Sequence, residues 1–531
     1  MSVIRNMAVI AGDEFAIVDD RSQISWKEAD LLLNRAINSI LDAKLGPERR
    51  VAVFAENSAE VAIAHVAGIL AGASMVPVSF HLTATELEYI LRDSGATLLF
   101  VSPETVERGL AAAANVNLSR VIGWRCAEAR GLTSWDAWLA EQSRDEPPTS
   151  LPPLPFLHYT SGTTGLPKGA EAPPSMFAGG ATIDEHVENL RRKGGSVAAL
   201  LSVNKDTQEQ TNSGKATKPN LIVNPMYHTG ALNSVRSLLT GTPLVILGRF
   251  DAEKTLAAIS RYRVSGGVMV PTQFIRLLAL PEDVKNRYDV SSLELVIHTG
   301  AACPQDVKRK MIDWWGPIFL ESYGATEIGS TNAIDTREWL SHPGSVGRTI
   351  LPFELLIIDD DGKELGPNKT GQICFRDTTG RGIIYYNDPA KTKSAHIRPG
   401  IFTLGEMGYC DEEGFVYITD RSSDMIVSGG VNIYPAEIEH VLLRHWAVLD
   451  CAVIGVPHDE FGEQVKALVV LRDPLAQPDT DELIEFCRQS LARYKLPTSI
   501  DYVLDVGRNS MGKINKRKLR APYWPTERTI G

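Results

Sequence analysis

Short apolar runs rich in β-branched residues alternate with longer amphipathic stretches along most of this chain. Arg50–Ala55 (RVAVFA) reads as a buried strand, Ser58–Ala71 as a helix, and Ser74–Val78 as a second strand. Ala96–Val101, Leu221–Val223, Pro243–Leu247 and Gly267–Val270 repeat the strand type, with helical patterns between them. Such alternation predicts an α/β fold with layered, largely parallel sheets. The apolar stretch from Val61 to Val78 is nearly long enough to suggest a membrane span. It is broken by His65, two glycines, Ser74 and Pro77, whereas a span needs about 20 apolar residues in a row. A buried helix, a turn and a short strand fit it better.

Two stretches break the pattern. Arg144–Pro155 is acidic and proline-rich, as a surface connector would be, and Asn204–Asn220 is polar throughout, as an exposed loop would be. Near the end, Asp420-Arg421-Ser422-Ser423-Asp424 reads as a polar hinge. Beyond it lie about 110 residues, an ordinary size for a small domain. They have their own βαβ character, with helix Pro435–Arg444, strands Asp450–Ile454 and Val465–Leu471, and helix Asp479–Arg493. The expected division is residues 1–420 and 421–531.

Composition narrows the function classes. With 531 residues, 44% of them hydrophobic, the chain can bury cores in two to four domains. A net charge of −11 argues against a nucleic-acid partner, which needs a basic footprint. Six scattered cysteines without a CxxC pair suit a reducing compartment rather than a disulfide framework. The opening Met-Ser-Val-Ile-Arg-Asn-Met lacks the apolar core of a secretion signal, so the expected location is cytoplasmic, with no transmembrane segment.

The densest candidate chemistry is Tyr159–Gly169, YTSGTTGLPKG. Glycines at 162, 165 and 169 let backbone amides approach an anion closely, the hydroxyls of Thr160, Ser161, Thr163 and Thr164 donate to phosphate oxygens, and Lys168 adds a point charge. The spacing departs from the GxxxxGK[ST] loop of ordinary NTPases. Further along come Asn224–Gly230 (NPMYHTG), His298–Pro304 (HTGAACP), Glu321–Gly329 (ESYGATEIG), Gly405-Glu406, Asp420-Arg421, Ser428–Pro435 (SGGVNIYP) and Arg508–Lys516 (RNSMGKINK).

Taken in this order, these motifs resemble those of the adenylate-forming superfamily of acyl-CoA synthetases, peptide-synthetase adenylation domains and beetle luciferases, over nearly the whole chain. The resemblance implies a large N-terminal domain of layered sheets and helices with a small β-barrel-like part, and a small mobile α+β C-terminal domain. It implies that Thr160, Ser161, Gly162, Thr163, Thr164, Gly165 and Lys168 hold phosphates. Tyr323 would stack on adenine, with Ala301, Ala302, Glu321, Ser322 and Gly324 around the nucleotide. Thr326 would donate to the α-phosphate and Glu327 would hold Mg²⁺. Glu406 and Arg421 look like the ribose pair, although the family usually has aspartate at position 406. Lys513 corresponds to the family's catalytic lysine, an ammonium that neutralises carboxylate and phosphate as they meet. Ser428, Gly429 and Gly430 would face the pantetheine arm of CoA after the small domain rotates. The hinge position itself, usually Asp or Lys, is Ser423 here.

The implied reaction converts a carboxylate and ATP to acyl-AMP and pyrophosphate, then passes the acyl group to CoA. Transfer to a carrier-protein thiol is the alternative. By resemblance the acyl pocket is walled by Tyr227–Asn233 and Met269–Phe274 and floored by His298–Ala302, with Tyr227, His228, Asn233, Thr299 and Gly300 lining it. His228 is expected to position substrate, because carboxylates are already ionised near neutrality. The small residues suggest room for a sizeable hydrophobic acid, and no cation in these segments suggests a second carboxylate. Expected partners are the acid, ATP, Mg²⁺ and CoA, with a second copy of the chain as a candidate.

Overall fold

The computed structural model describes residues 2–147, 151–160, 167–173, 176–192, 218–359, 361–421, 424–428, 431–458, 461–491, 493–509, 512 and 514–524. Of the two irregular stretches, Asn204–Asn220 lies outside these up to residue 217.

Strands Ser74–Pro77, Arg50–Phe54, Leu98–Val101, Arg120–Gly123 and Leu132–Ser134 lie side by side in that order, all parallel. Arg50–Phe54 is buried at every position, as a strand covered on both faces must be. The helix Ala59–Leu70 is capped by Ser58, and all of it except Glu60 is buried. Its all-round apolar character is that of a core helix. Among the described residues no helix is long and apolar enough to cross a membrane.

A second sheet carries nine strands among the described residues. The order is Arg348–Thr349, Gly329–Asp335, Phe319–Ala325, Leu295–Thr299, Gly266–Met269, Asn220–Ile222, Leu244–Ile246, Phe15–Val18 and Gln23–Ser25. The centre is parallel, and antiparallel pairs close both ends. In this register His298 lies opposite Glu321 and Thr299 opposite Ser322, so two of the motifs meet across neighbouring strands.

Strands Phe353–Ile358, Gly371–Asp377, His396–Arg398, Ile401–Cys410 and Val416–Arg421 make an antiparallel sheet around Phe353, Phe375 and Phe402. The final sheet holds Ile426–Ser428, Val431–Ile433, Val448–His458, Gly462–Leu471 and Ser499–Tyr502, with an apolar core of its own. Its βαβ unit is Gly462–Leu471, helix Thr480–Arg488 and the parallel strand Ser499–Tyr502. The strand expected at 450–454 runs on to His458 and returns directly as a long antiparallel hairpin.

One charged pair sits inside the second sheet's core. Lys308, 1% exposed, reaches from helix Gln305–Trp315 to Glu321, with Nζ 2.6 Å from Oε2. The ammonium also stands 4.6 Å from the Trp339 ring centroid. Burial raises the Glu321 carboxyl above its ordinary range, and Lys308 pulls it partway back. Lys308→Met strands that carboxylate and should cost about 3–5 kcal/mol. The Glu321 pKa then rises further, so the loss is greatest near neutrality and shrinks as pH falls through the folded-state value. Denaturant melts at neutral and mildly acid pH test this; equal losses at both would contradict it.

Candidate active site

Strand Leu157–Thr160 pairs antiparallel with Lys168–Glu171, placing Thr160 opposite Lys168. The Gly/Ser/Thr run thus joins two strands of a hairpin; Ser161, Gly162, Thr163, Thr164 and Gly165 lie outside the described residues. Tyr159 anchors the hairpin by donating to Asp93 Oδ2 at 2.6 Å. Lys168 Nζ lies 2.6 Å from Asp388 Oδ2, and this bond holds the Asp388 carboxyl below its ordinary value. Asp388 also caps the helix Pro389–Ser394, so the ammonium is tied to a fixed point.

Glu327 comes from a different sheet. Phe319–Ala325 and Gly329–Asp335 form a hairpin with a bulge between Tyr323 and Gly324. A Cβ on Gly324 would lie 2.0 Å from the Gly329 carbonyl oxygen, so only glycine lets the strands close this tightly. The turn presents Thr326 and Glu327. Thr160 Oγ1 donates to Glu327 Oε1 at 3.1 Å, and the Tyr385 hydroxyl donates to the same oxygen at 3.3 Å. Burial and then Glu327 push the Tyr385 phenol upward, so it stays a protonated donor. Among the described residues no group of three His, Cys, Asp or Glu could cage a metal. A lone carboxylate suits Mg²⁺, which is commonly held by one or two carboxylates together with substrate phosphates.

Tyr323 and Glu406 meet directly, with the Tyr323 hydroxyl donating to Oε2 at 2.8 Å. The arm of Glu406, longer than the aspartate expected there, reaches this hydroxyl, and the residue is 8% exposed. Arg421 is the cross-strand partner of Glu406 in the backbone register; its side chain lies outside what is described. Ser322 Oγ is 2.6 Å from Ser330 Oγ. Ala301 and Ala302 follow strand Leu295–Thr299 in a loop. Gly300 has φ +88°, so its smallness answers a backbone need and does not by itself report pocket volume.

The segment bearing Tyr227 and His228 is held by buried amides. Asn224 donates to Val268 O at 2.9 Å and accepts from Gln273 Nε2 at 2.9 Å, while Asn57 Oδ1 accepts from Met226 N at 2.8 Å. His228 precedes helix Thr229–Arg236, and its ring lies 4.2 Å from that of Tyr227. Asn233, on that helix, accepts from Arg236. His298, next to Thr299 on strand Leu295–Thr299, is fully buried, and burial followed by Lys308 keeps it neutral. Ser428 ends the strand Ile426–Ser428 in the last sheet. Gly429, Gly430, Ser423 and Lys513 lie outside the described residues. Gly512, just before Lys513, has its Cβ direction filled by Thr272 at 2.8 Å, which brings the chain's end against the Pro271–Leu278 helix.

Asp93, Tyr385 and Asp388 escaped the sequence reading. The run Tyr385-Tyr386-Asn387-Asp388-Pro389 held the available signal, an aspartate cap before a helix-starting proline beside two tyrosines.

Comparison with known proteins places this geometry in a family. Residues 5–382 match the AMP-binding enzyme family and residues 437–513 match the AMP-binding enzyme C-terminal domain. The chain belongs to this family of adenylate-forming, ATP-dependent ligases. It is 31% identical to a feruloyl-CoA synthase of an Amycolatopsis species over 94% of both chains. It is 30% identical to a fatty acid–[acyl-carrier-protein] ligase of Streptomyces coeruleorubidus over 96% of this chain and 93% of that one. Among solved structures, ATP-bound MatB from Rhodopseudomonas palustris superposes with TM-score 0.78 at 28% identity, covering 96% of each chain.

Glu327→Gln keeps the size of the side chain and removes its charge. It should cut acid-dependent pyrophosphate release about 10²–10³-fold, the scale for one preorganised electrostatic group, while leaving thermal stability nearly unchanged. A folded variant with undiminished release would remove Glu327 from the site.

Proposed function

We propose that this enzyme activates a hydrophobic carboxylic acid with ATP and delivers the acyl group to CoA. The observation that carries this reading is the convergence of Thr160 and Tyr385 on Glu327, on the same hairpin as Tyr323, whose hydroxyl donates to Glu406. In the first half-reaction a carboxylate oxygen of the acid attacks the α-phosphorus of ATP. The O–P bond forms, the bond to pyrophosphate breaks, and pyrophosphate leaves with its electron pair. In the second, the CoA sulfur attacks the acyl carbon, AMP departs carrying the former carboxylate oxygen, and the thiol proton goes to solvent.

The residues divide this work. Tyr323 packs against adenine, Glu406 and Arg421 hold the ribose, and Thr326 binds the α-phosphate. The 161–165 loop, Thr160 and Lys168 cradle the leaving phosphates. Glu327 would hold Mg²⁺, whose positive charge would favour departure of pyrophosphate. His228 orients the acid between the Tyr227 wall and the Thr299–Gly300 floor. Lys513 bridges carboxylate and phosphate in the first step, in keeping with the packing of its neighbour Gly512 on Thr272. Residues 421–531 then turn about the hinge near Ser423, bringing Ser428–Gly430 to the pantetheine arm. Substrate supply of this kind fits the cytoplasm.

A carrier-protein thiol is the second reading, favoured by the carrier-protein ligase among the relatives. Incubation with ATP, a panel of acids and either free CoA or a phosphopantetheinylated carrier separates the two. Thioester on CoA supports the first reading; thioester on the carrier alone supports the second.

Lys513→Ala should lower acyl-AMP formation about 10²–10³-fold, yet leave thioester formation from preformed acyl-AMP largely intact. Single-turnover quench measurements of both steps decide it. Equal loss of both would contradict a role confined to adenylation.

A further inference from the structure

Helix Thr229–Arg236 ends on an arginine that points inward. Arg236 is 4% exposed, its Nη1 donates to the Met176 carbonyl, its Nη2 donates to Asn233 Oδ1, and its guanidinium lies 5.0 Å from the centroid of Phe156. A guanidinium carries five N–H donors, and among the described residues the buried Nε has no partner. Among the described residues no carboxylate forms an ion pair with it; burial is the one influence on its basicity, drawing it down to about 10. It therefore remains a full positive charge near neutrality. A buried cation without a counter-charge is costly, and folded cores normally pair it.

Its surroundings are polar and equally incomplete. His65, from helix Ala59–Leu70, and His158, from strand Leu157–Thr160, are 1% and 3% exposed. Their rings flank the same Phe156, with centroids 6.2 Å and 5.9 Å away. His65 Nδ1 and His158 Nε2 are buried with no hydrogen-bond partner among the described residues. Burial and then Arg236 lower both to about 3, so both rings are neutral and can only complete hydrogen bonds. His158 also feels His228, at the other end of the Arg236 helix. Three chain segments thus contribute three unmatched nitrogens, the cation's own Nε and one from each histidine.

The cluster lies along the wall assigned to the acyl pocket. Asn233, bonded to Arg236, is five residues beyond His228, or about 8 Å along the helix axis at about 1.5 Å per residue. Helical side chains lean toward the N-terminus, which carries the Arg236 head back toward His228.

We propose that Arg236, with His65 and His158, binds a second carboxylate at the far end of the acyl substrate, so that the enzyme activates dicarboxylic acids with an apolar middle. This rests on the acid-activating reading above and specifies its substrate class. It also replaces the expectation that no cation serves a second carboxylate. That expectation weighed Tyr227–Asn233, Met269–Phe274 and His298–Ala302, and Arg236 lies three residues beyond the first of these.

The test pairs α,ω-dicarboxylates of increasing length, and benzene dicarboxylates, with matched monoacids bearing methyl in place of the distal carboxylate. Pyrophosphate release is measured for the wild-type enzyme, Arg236→Met and Arg236→Lys. The wild type should favour at least one diacid over its partner about tenfold or more in kcat/KM, as a charged hydrogen bond implies. Arg236→Met should lose that preference mainly through KM and gain on the monoacid, while Arg236→Lys keeps part of it. A wild type that prefers the monoacid in every pair, or a folded Arg236→Met with unchanged preference, would overturn the proposal. If no acid releases pyrophosphate, the acid-activating reading itself fails, and thermal unfolding with the same diacids decides on the site. Stabilisation of the wild type but not of Arg236→Met supports an anion site there; no stabilisation of either refutes it.

Discussion

One carboxylate oxygen gathers the site. Glu327 Oε1 accepts from Thr160 at the base of the phosphate hairpin and from Tyr385, which precedes the Asp388-capped helix. These residues are 167 and 58 positions from Glu327 along the chain. Neither bond could form unless the nine-stranded sheet delivered its Phe319–Ala325 hairpin to the point where the other two segments meet. Two hydroxyls donating to one carboxylate oxygen fix the direction in which Glu327 points. They also tie the hairpin of Thr160 and Lys168 to the one that carries Tyr323, whose hydroxyl donates to Glu406.

The sheet beneath can aim Glu327 because its interior is fixed by polar contacts as well as by apolar packing. Lys308 clamps Glu321 from below, Asn224 and Gln273 lock the turn before His228, and Gly324 permits a closeness that any Cβ would forbid. Satisfied buried networks of this kind specify one arrangement of a core. Arg236 stands apart as a buried cation with an unmatched Nε and no carboxylate partner among the described residues. A buried donor left incomplete is a place where a ligand can complete it.

The parallel sheets were legible because their strands are covered on both faces and read as unbroken apolar runs; Arg50–Phe54 and the helix after it appear almost where the pattern puts them. Motif order singled out residues that the fold brings into contact in pairs, Thr160 with Glu327 and Tyr323 with Glu406. What escaped has a common cause. Lys308 and Arg236 lie on helices, where a charged residue reads as solvent-facing unless its partner is known, and burial is a property of the assembled core. Tyr385 and Asp388 sit in an irregular segment whose geometry is set by distant strands. The backbone demand of Gly300 could not be separated from its small volume until its φ was seen.

Isotope tracing tests acyl-adenylate formation most directly. A substrate acid labelled with ¹⁸O in its carboxylate is turned over with ATP and the acyl acceptor, and the phosphorus products are examined by mass spectrometry. Attack of the carboxylate on the α-phosphorus predicts one labelled oxygen in each AMP released, with unlabelled pyrophosphate. Label in inorganic phosphate with ADP as co-product, or AMP free of label, would contradict it.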